Sequence, residues 1–298
     1  MTGKAKISPA PIPHLLRKET EKMYYLGADI GGSAVKLIAA DKSGNILANR
    51  KYAADGSGEH LEAEVKAMLG EAEINEPPQH IFLTGAGNDI AEHRFGDIPR
   101  IYSEEFGCFP RGAQKLSGIK KAVFVSIGTG TAFVTADGDK LTHIGGSGVG
   151  GGTLAGLADL TMNVTDSETV NRLISEGDPA KVDLTMGDIC KGILGGLAAN
   201  VTAANFGSRH ISHEPAHIAA GLANMVFQTA GVMAAFACKG TDFTEAVFVG
   251  AMSEIPEGKA ILEAVGDLHG LKFTVPPKAA YAGALGAVIL GLERTQSI

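Results

Sequence analysis

The chain has no tryptophan and only three cysteines, Cys108, Cys190 and Cys238, which lie far apart and form no C-x-x-C pair. That spacing offers neither a disulfide framework nor a zinc site, and it fits a reducing, cytoplasmic setting. Positive charge is also scarce. Lys and Arg number 26 against 33 Asp and Glu, a formal net charge of −7, and the basic residues are scattered, so the electrostatic footprint of a nucleic-acid binder is missing. No apolar run approaches the ~20 residues of a membrane span; the most apolar stretch, 225–238, is interrupted by Gln228 and Gly231. Residues 1–22 (MTGKAKISPAPIPHLLRKETEK) lack the apolar core of a secretory signal, and their prolines favour a flexible N-terminal arm. The nine histidines show no metal-ligand spacing. A G-x-x-x-x-G-K-[ST] loop is absent, which excludes P-loop kinases and GTPases.

Glycine, by contrast, is abundant: 40 of 298 residues, against a usual share of ~7%. No repeat of low complexity accounts for it, so the glycines are expected in turns and ligand loops. The central instance is YYLGADIGGSAVKLIAA, 24–40. Two short apolar runs flank a glycine turn, the pattern of a buried β-hairpin. Glycine there lets a ligand approach backbone N–H groups. Ser33 and Lys36 suit phosphate oxygens, and Asp29 suits hydrated Mg²⁺.

A similar element returns a hundred residues later. Lys121–Ile127 (KAVFVSI) is an apolar strand, Gly128–Thr131 (GTGT) a glycine–hydroxyl turn, and Ala132–Ala136 the returning strand. Each hairpin is followed by a third strand, Ile46–Tyr52 and Lys140–Ile144, and then by helical spacing. Two copies of one plan predict two related α/β lobes with a cleft between them, each presenting a phosphate hairpin. Further expected elements are helices at 60–73, 89–95, 103–116, 153–160, 167–175, 216–238, 257–268 and 281–292, and strands at 80–84, 98–102, 246–250 and 272–275.

The run GGSGVGGG, 145–152, opens into a helix, a setting that favours anion binding at free N–H groups. Gly146, Gly148 and Gly151 satisfy G-x-G-x-x-G, but in a stretch that is nearly all glycine and has no ribose-binding acid after it, so a dinucleotide site is disfavoured. Glu104 reads as a helix start. Glu105 follows a strand where the cleft should lie, placed to take a proton from an alcohol attacking a γ-phosphate. His143 directly precedes the glycine run and is expected to point toward the cleft.

Taken in order, DIGGSAVKL (29–37), SEEF (103–106), SIGTGTAF (126–133), IGGSGVGGGTLAGL (144–157), EGDPAKVDL (176–184), TAANFG (202–207), FVGAM (248–252) and YAGALGAVIL (281–290) resemble the type II, eukaryotic-like pantothenate kinases of the acetate-kinase/hexokinase/Hsp70/actin superfamily. The resemblance covers about residues 24–293. It implies two ribonuclease-H-like α/β lobes, 23–118 joined by a C-terminal helix at 286–298, and 119–285, around an interlobe cleft. It implies ATP and Mg²⁺, pantothenate as acceptor, and a homodimer joined through second-lobe helices at 216–238. Asp29, Ile30, Gly31, Gly32, Ser33, Ala34, Val35 and Lys36 would form the first phosphate loop, with Asp29 near the metal. Gly128, Thr129 and Gly130 would form the second, with Thr129 and Thr131 also facing the acceptor. Gly150, Gly151, Gly152, Thr153 and Leu154 match a third ATP-binding stretch, Gly250 and Ala251 the adenine side, and Glu105 the catalytic base. His143 and Tyr281 would meet the acceptor. At His143 the family pattern has an arginine, whose planar fork and permanent charge a histidine lacks. That departure keeps two alternatives open: a kinase for another small alcohol or an amino sugar such as N-acetylglucosamine, and a degenerate nucleotide or metabolite sensor.

Overall fold

The computed structural model describes residues 23–91, 95–190 and 198–296; the N-terminal arm expected over 1–22 lies outside them. The chain opens with β1 (Tyr25–Ile30), β2 (Ala34–Ala40), β3 (Ile46–Ala53), α1 (Gly58–Glu71), β4 (Ile81–Thr84), β5 (Arg100–Tyr102) and α2 (Glu105–Ser117). Their strands form one five-stranded sheet in the order β3-β2-β1-β4-β5. The first hairpin is antiparallel, while β4 lies parallel to β1. Alternation along β1 puts Leu26, Ala28 and Ile30 into a core beneath α1, whose Leu61, Val65 and Met68 recur on one face. Ser57 caps α1 by accepting the His60 amide N–H.

The second half carries β6 (Lys121–Ile127), β7 (Thr131–Asp137), β8 (Lys140–Ser147), α3 (Gly151–Met162), α4 (Ser167–Glu176), β9 (Leu184–Thr185), α5 (Met186–Ile189), β10 (Thr202–Ala204), α6 (Pro215–Cys238), β11 (Glu245–Val249), α7 (Pro256–His269), β12 (Lys272–Thr274) and α8 (Ala282–Thr295). Its five-stranded sheet runs β12-β11-β6-β7-β8, the same order as the first when read from the far edge. The correspondence extends to single residues. Gly85 after β4 has φ +93°, and a Cβ there would fall 2.5 Å from the Ile30 carbonyl oxygen; Gly250 after β11 has φ +98°, and its Cβ would fall 2.5 Å from that of Ile127. At both places only glycine lets the chain cross over the end of the central strand.

Helix α8 returns to the first sheet. It packs on β1, β4 and α2 at very short range because the contact residues lack side chains: a Cβ on Gly112 would meet the Ala282 carbonyl, and one on Gly286 the Cys108 carbonyl. Helix α2 in turn seals the two sheets together. Phe109 and Ala113 share a buried cluster with Phe124, Val134, Val247 and Val249 of the second sheet.

Several expectations change. In place of a helix at 89–95 there is a short 3₁₀ turn at Asn88–Ala91, and 92–94 lie outside the described residues. Strand β8 runs on to Ser147, so the first glycines of the 145–152 run are sheet rather than loop. The two-stranded β9/β10 sheet was not legible in the sequence. Helix α6 is, on length and composition, apolar enough to cross a membrane, but 67% of its 18-residue window is buried inside the protein. Its Leu222, Val226, Phe227 and Ala230 pack with Val123, Val125 and Phe248, and α3, α4 and α7 flank it. Most of α6 thus lies inside the second half, with Phe236 left exposed.

Candidate active site

The two glycine hairpins face each other at the mouth of the groove between the sheets. Ser33 and Thr129, at their tips, share a hydroxyl–hydroxyl hydrogen bond of 2.8 Å. Beneath them lies a cavity of ≈ 500 Å³ lined by Asp29, Gly31, Gly32 and Lys36 from the first hairpin and by Gly128, Thr129, Gly130 and Thr131 from the second. Glu105, His143 and Gly250 complete the part of the wall that the sequence singles out.

Asp29 and Lys36 are cross-strand partners in β1 and β2, which places both side chains on one face of the sheet. The Lys36 ammonium lies 3.4 Å from Asp29 Oδ2, with both side chains mostly buried. Asp29 rests on α8: a Cβ at Gly283 would fall 2.7 Å from Asp29 Oδ2, so the first turn of that helix abuts the carboxylate, an arrangement the helix dipole favours. Gly32, by contrast, has open space where a Cβ would be.

Helix α2 presents two neighbouring acids in different ways. Glu104 is the N-cap, and its carboxylate accepts the backbone N–H groups of Phe106 and Gly107 at 3.1 Å each. Glu105 is left facing the cavity. Enclosure between the walls, and then the negative charge of Asp29, hold its carboxyl above the usual range, with Lys36 opposing. A carboxylate in that state is a better base than an ordinary one.

The second hairpin is braced from below. The first N–H groups of α3, those of Gly151 and Gly152, donate to the carbonyls of Gly128 and Thr129 at 2.8 and 2.9 Å. This differs from the expected anion site at 150–154: the helix start spends donors on the second hairpin. Gly150, Gly151, Gly152 and Thr153 stand behind that hairpin, and Leu154 is buried in the core. Thr131 lines the cavity while donating its hydroxyl to the Val149 carbonyl at 2.8 Å. Ile30 and Val35 point into the first core. Ala34 and Ala251 are outside the cavity wall, as is Ser33 except through its bond to Thr129. Tyr281 is the clearest displacement. Its ring is buried among Ile38, Ala284 and Leu285, and it is not part of the cavity wall.

The wall also contains residues that sequence reasoning missed. Phe106 and Phe109 come from α2, Ser126 from β6, Ser147 from β8, and Ala280 and Gly283 from the C-terminal segment. Ser126 could have been found by superposing the two hairpins, since it stands where Asp29 does. Nothing local to Ala280 or Gly283 marks them.

For a metal, the cavity wall offers the carboxylates of Asp29 and Glu105, and among the described residues no cluster of three or more His, Cys, Asp or Glu could hold an ion alone. That donor set fits Mg²⁺, which binds through one or two carboxylates plus phosphate oxygens and water.

The chain was compared with known families, curated proteins and solved structures. The family described as Fumble matches residues 107–261. A type II pantothenate kinase of Staphylococcus haemolyticus is 26% identical over 275 residues, 89% of this chain and 99% of that protein. One of Bacillus cereus (strain G9842) is 30% identical over 193 residues, covering 63% and 67%. Among solved structures, the activator of the 2-hydroxyisocaproyl-CoA dehydratase from Clostridium difficile with bound ADPNP superposes with a TM-score of 0.64 at 15% identity, over 92% of this chain and 96% of that one. A ROK family glucokinase from Streptomyces griseus in complex with glucose and AMPPNP gives 0.56 at 15% identity, over 90% and 98%. These structures share the two-lobed actin/hexokinase-type fold. By sequence the chain belongs to the Fumble family, alongside curated relatives named type II pantothenate kinase.

Proposed function

We propose that the protein transfers the γ-phosphoryl group of ATP to the primary hydroxyl of pantothenate, the first step of coenzyme A synthesis. The observation that carries the reading is the meeting of Glu105, the Asp29–Lys36 pair and both glycine hairpins around one cavity. Gly31, Gly32, Gly128 and Gly130 leave backbone exposed to the triphosphate, and Lys36 supplies the cation beside it. Asp29 is the carboxylate that would hold Mg²⁺, which when bound neutralises charge on the phosphates. Glu105 accepts the proton of the acceptor hydroxyl as the hydroxyl oxygen attacks phosphorus. In such transfers most of the rate comes from positioning and charge stabilisation. Thr129, Thr131 and His143 orient the acceptor. In the same reading, residues 23–118 with the C-terminal helix form one lobe and 119–285 the other, and the protein acts in the cytoplasm as a homodimer.

The test is a coupled ADP-release assay over pantothenate, pantetheine and N-acetylglucosamine with MgATP. Saturable turnover with pantothenate, and none with the amino sugar, is expected. A preference for the amino sugar overturns the acceptor. ATP binding without turnover on any of the three favours a sensor.

A further inference from the structure

The ring of Phe106, the residue directly after Glu105, is stacked face to face on the imidazole of His143. The centroids are 4.1 Å apart and the planes only 10° from parallel. Both rings line the cavity, although Phe106 lies in the first turn of α2 and His143 in the edge strand β8. Two features of the backbone bring them together. His143 pairs with Val134, and the next pair is Phe133 with Gly145, so Ile144 is an extra residue in β8, a β-bulge. Val134 belongs to the buried cluster under α2, so its cross-strand neighbour His143 stands on that same face. The Glu104 cap then fixes the first turn of α2, since its carboxylate holds the amide of Phe106 itself.

We infer that Phe106 is a positioning residue: it fixes the plane of the His143 imidazole, and the two rings act as one unit that reads the acceptor. The physical argument is directional. An imidazole makes hydrogen bonds only in its ring plane, through its two nitrogens. With one face covered by Phe106, the ring cannot tilt, and its edge is the part that meets a ligand. An arginine could reach an acceptor carboxylate with a fork of donors. A clamped imidazole offers one directed contact, so its orientation decides whether that contact forms. The placement of Phe106 beside Glu105 also ties acceptor grip and the proton-accepting carboxylate to the same helical turn.

The kinetic part of this inference rests on the proposed reaction, so the test has one arm that needs no acceptor. In histidine-edited NMR of the whole protein, the His143 ring protons, assigned by their loss in His143→Ala, should be shifted upfield by the stacked ring. Phe106→Leu should return them toward the unstacked position, and Phe106→Tyr should keep the shift. In the kinetic arm, Phe106→Leu should raise KM for pantothenate by about 2- to 10-fold, the size of an aromatic pair's contribution, with KM for ATP unchanged and kcat affected less. Phe106→Tyr should restore the wild-type value. His143→Ala combined with Phe106→Leu should be no worse than His143→Ala alone, as expected for coupled neighbours. A His143 signal unmoved by Phe106→Leu overturns the proposal, as does a double variant whose effects multiply. A wild-type protein that shows the NMR shift but leaves pantothenate untouched supports the clamp and sinks the proposed reaction instead.

Discussion

Asp29 and Ser126 occupy the same place in the two sheets: each is the penultimate residue of a central strand, just before a glycine turn. Opposite them stand Lys36 and Ala132. One half of the molecule therefore puts a charged pair at its hairpin, and the other half puts a hydroxyl and a methyl there. The backbones match more closely than the side chains do, down to Gly85 and Gly250 lying over Ile30 and Ile127 at the same distance. A repeated scaffold thus carries charged chemistry in one copy only. The acidic partner, Glu105, comes from the helix that joins the halves and belongs to neither hairpin. Like-charge repulsion gives a reason for the asymmetry. A second carboxylate at position 126 would face Asp29 and Glu105 across the same cavity, where mutual repulsion would drive one of them to protonate.

The comparison can be broken at the joining helix first. Glu105→Gln should lower kcat by ~10²–10⁴-fold while ATP binding, measured by calorimetry, persists. Since burial and Asp29 raise the folded-state value of Glu105, its favourable contribution to stability is present below the unfolded value and lost as pH rises through the folded one. At neutral pH the ionised side chain costs stability, so the variant should melt no lower than wild type, and higher if anything. The wild-type rate should also decline on acidification at a higher pH than an ordinary glutamate, near 4.3, would dictate. A variant that loses activity together with its melting transition would point to a folding defect rather than a lost base.

A smaller effect tests the two hairpins against each other. Asp29→Asn removes a charge-assisted interaction of about 1.5–3 kcal/mol, so turnover with MgATP should fall by about 10- to 100-fold. Ser126→Ala, the equivalent change, should stay within about twofold, as for a position without a special role. Equal losses would mean that both hairpins carry the phosphate charge and that the asymmetry is only apparent.

The smallest effect concerns the shared backbone. Gly85→Ala and Gly250→Ala each place a Cβ at positive φ against a carbonyl, and strain of about 1–3 kcal/mol is expected in each. Urea unfolding should show similar losses for the two. One tolerated substitution beside one costly substitution would sharpen the picture, since the two crossovers would then differ in how freely the strand end can shift.

Sequence alone determined the repeated plan of the molecule. Apolar runs of strand length broken by glycine turns are local patterns, and they place both hairpins within a residue or so of where they stand. They also picked out Asp29, Lys36, Glu105 and His143, because polar residues at the ends of buried strands and helix starts have few other places to go. Tertiary structure decided what each of those residues touches. Glu105 is buried by the walls of the cleft, and the repulsion it meets there comes from Asp29, 76 positions earlier in the chain. Asp29 lies against Gly283, and Phe106 covers His143. The start of α3 looked like an anion site by composition, yet the second hairpin's carbonyls take its first donors. Tyr281 looked like a site residue by motif, yet the return of α8 buries it against the first sheet. Strand periodicity depends on neighbours two residues apart. Hydrogen-bond partners, charge and exposure at a cleft depend on which distant segments fold over it, and no local pattern in the chain encodes that.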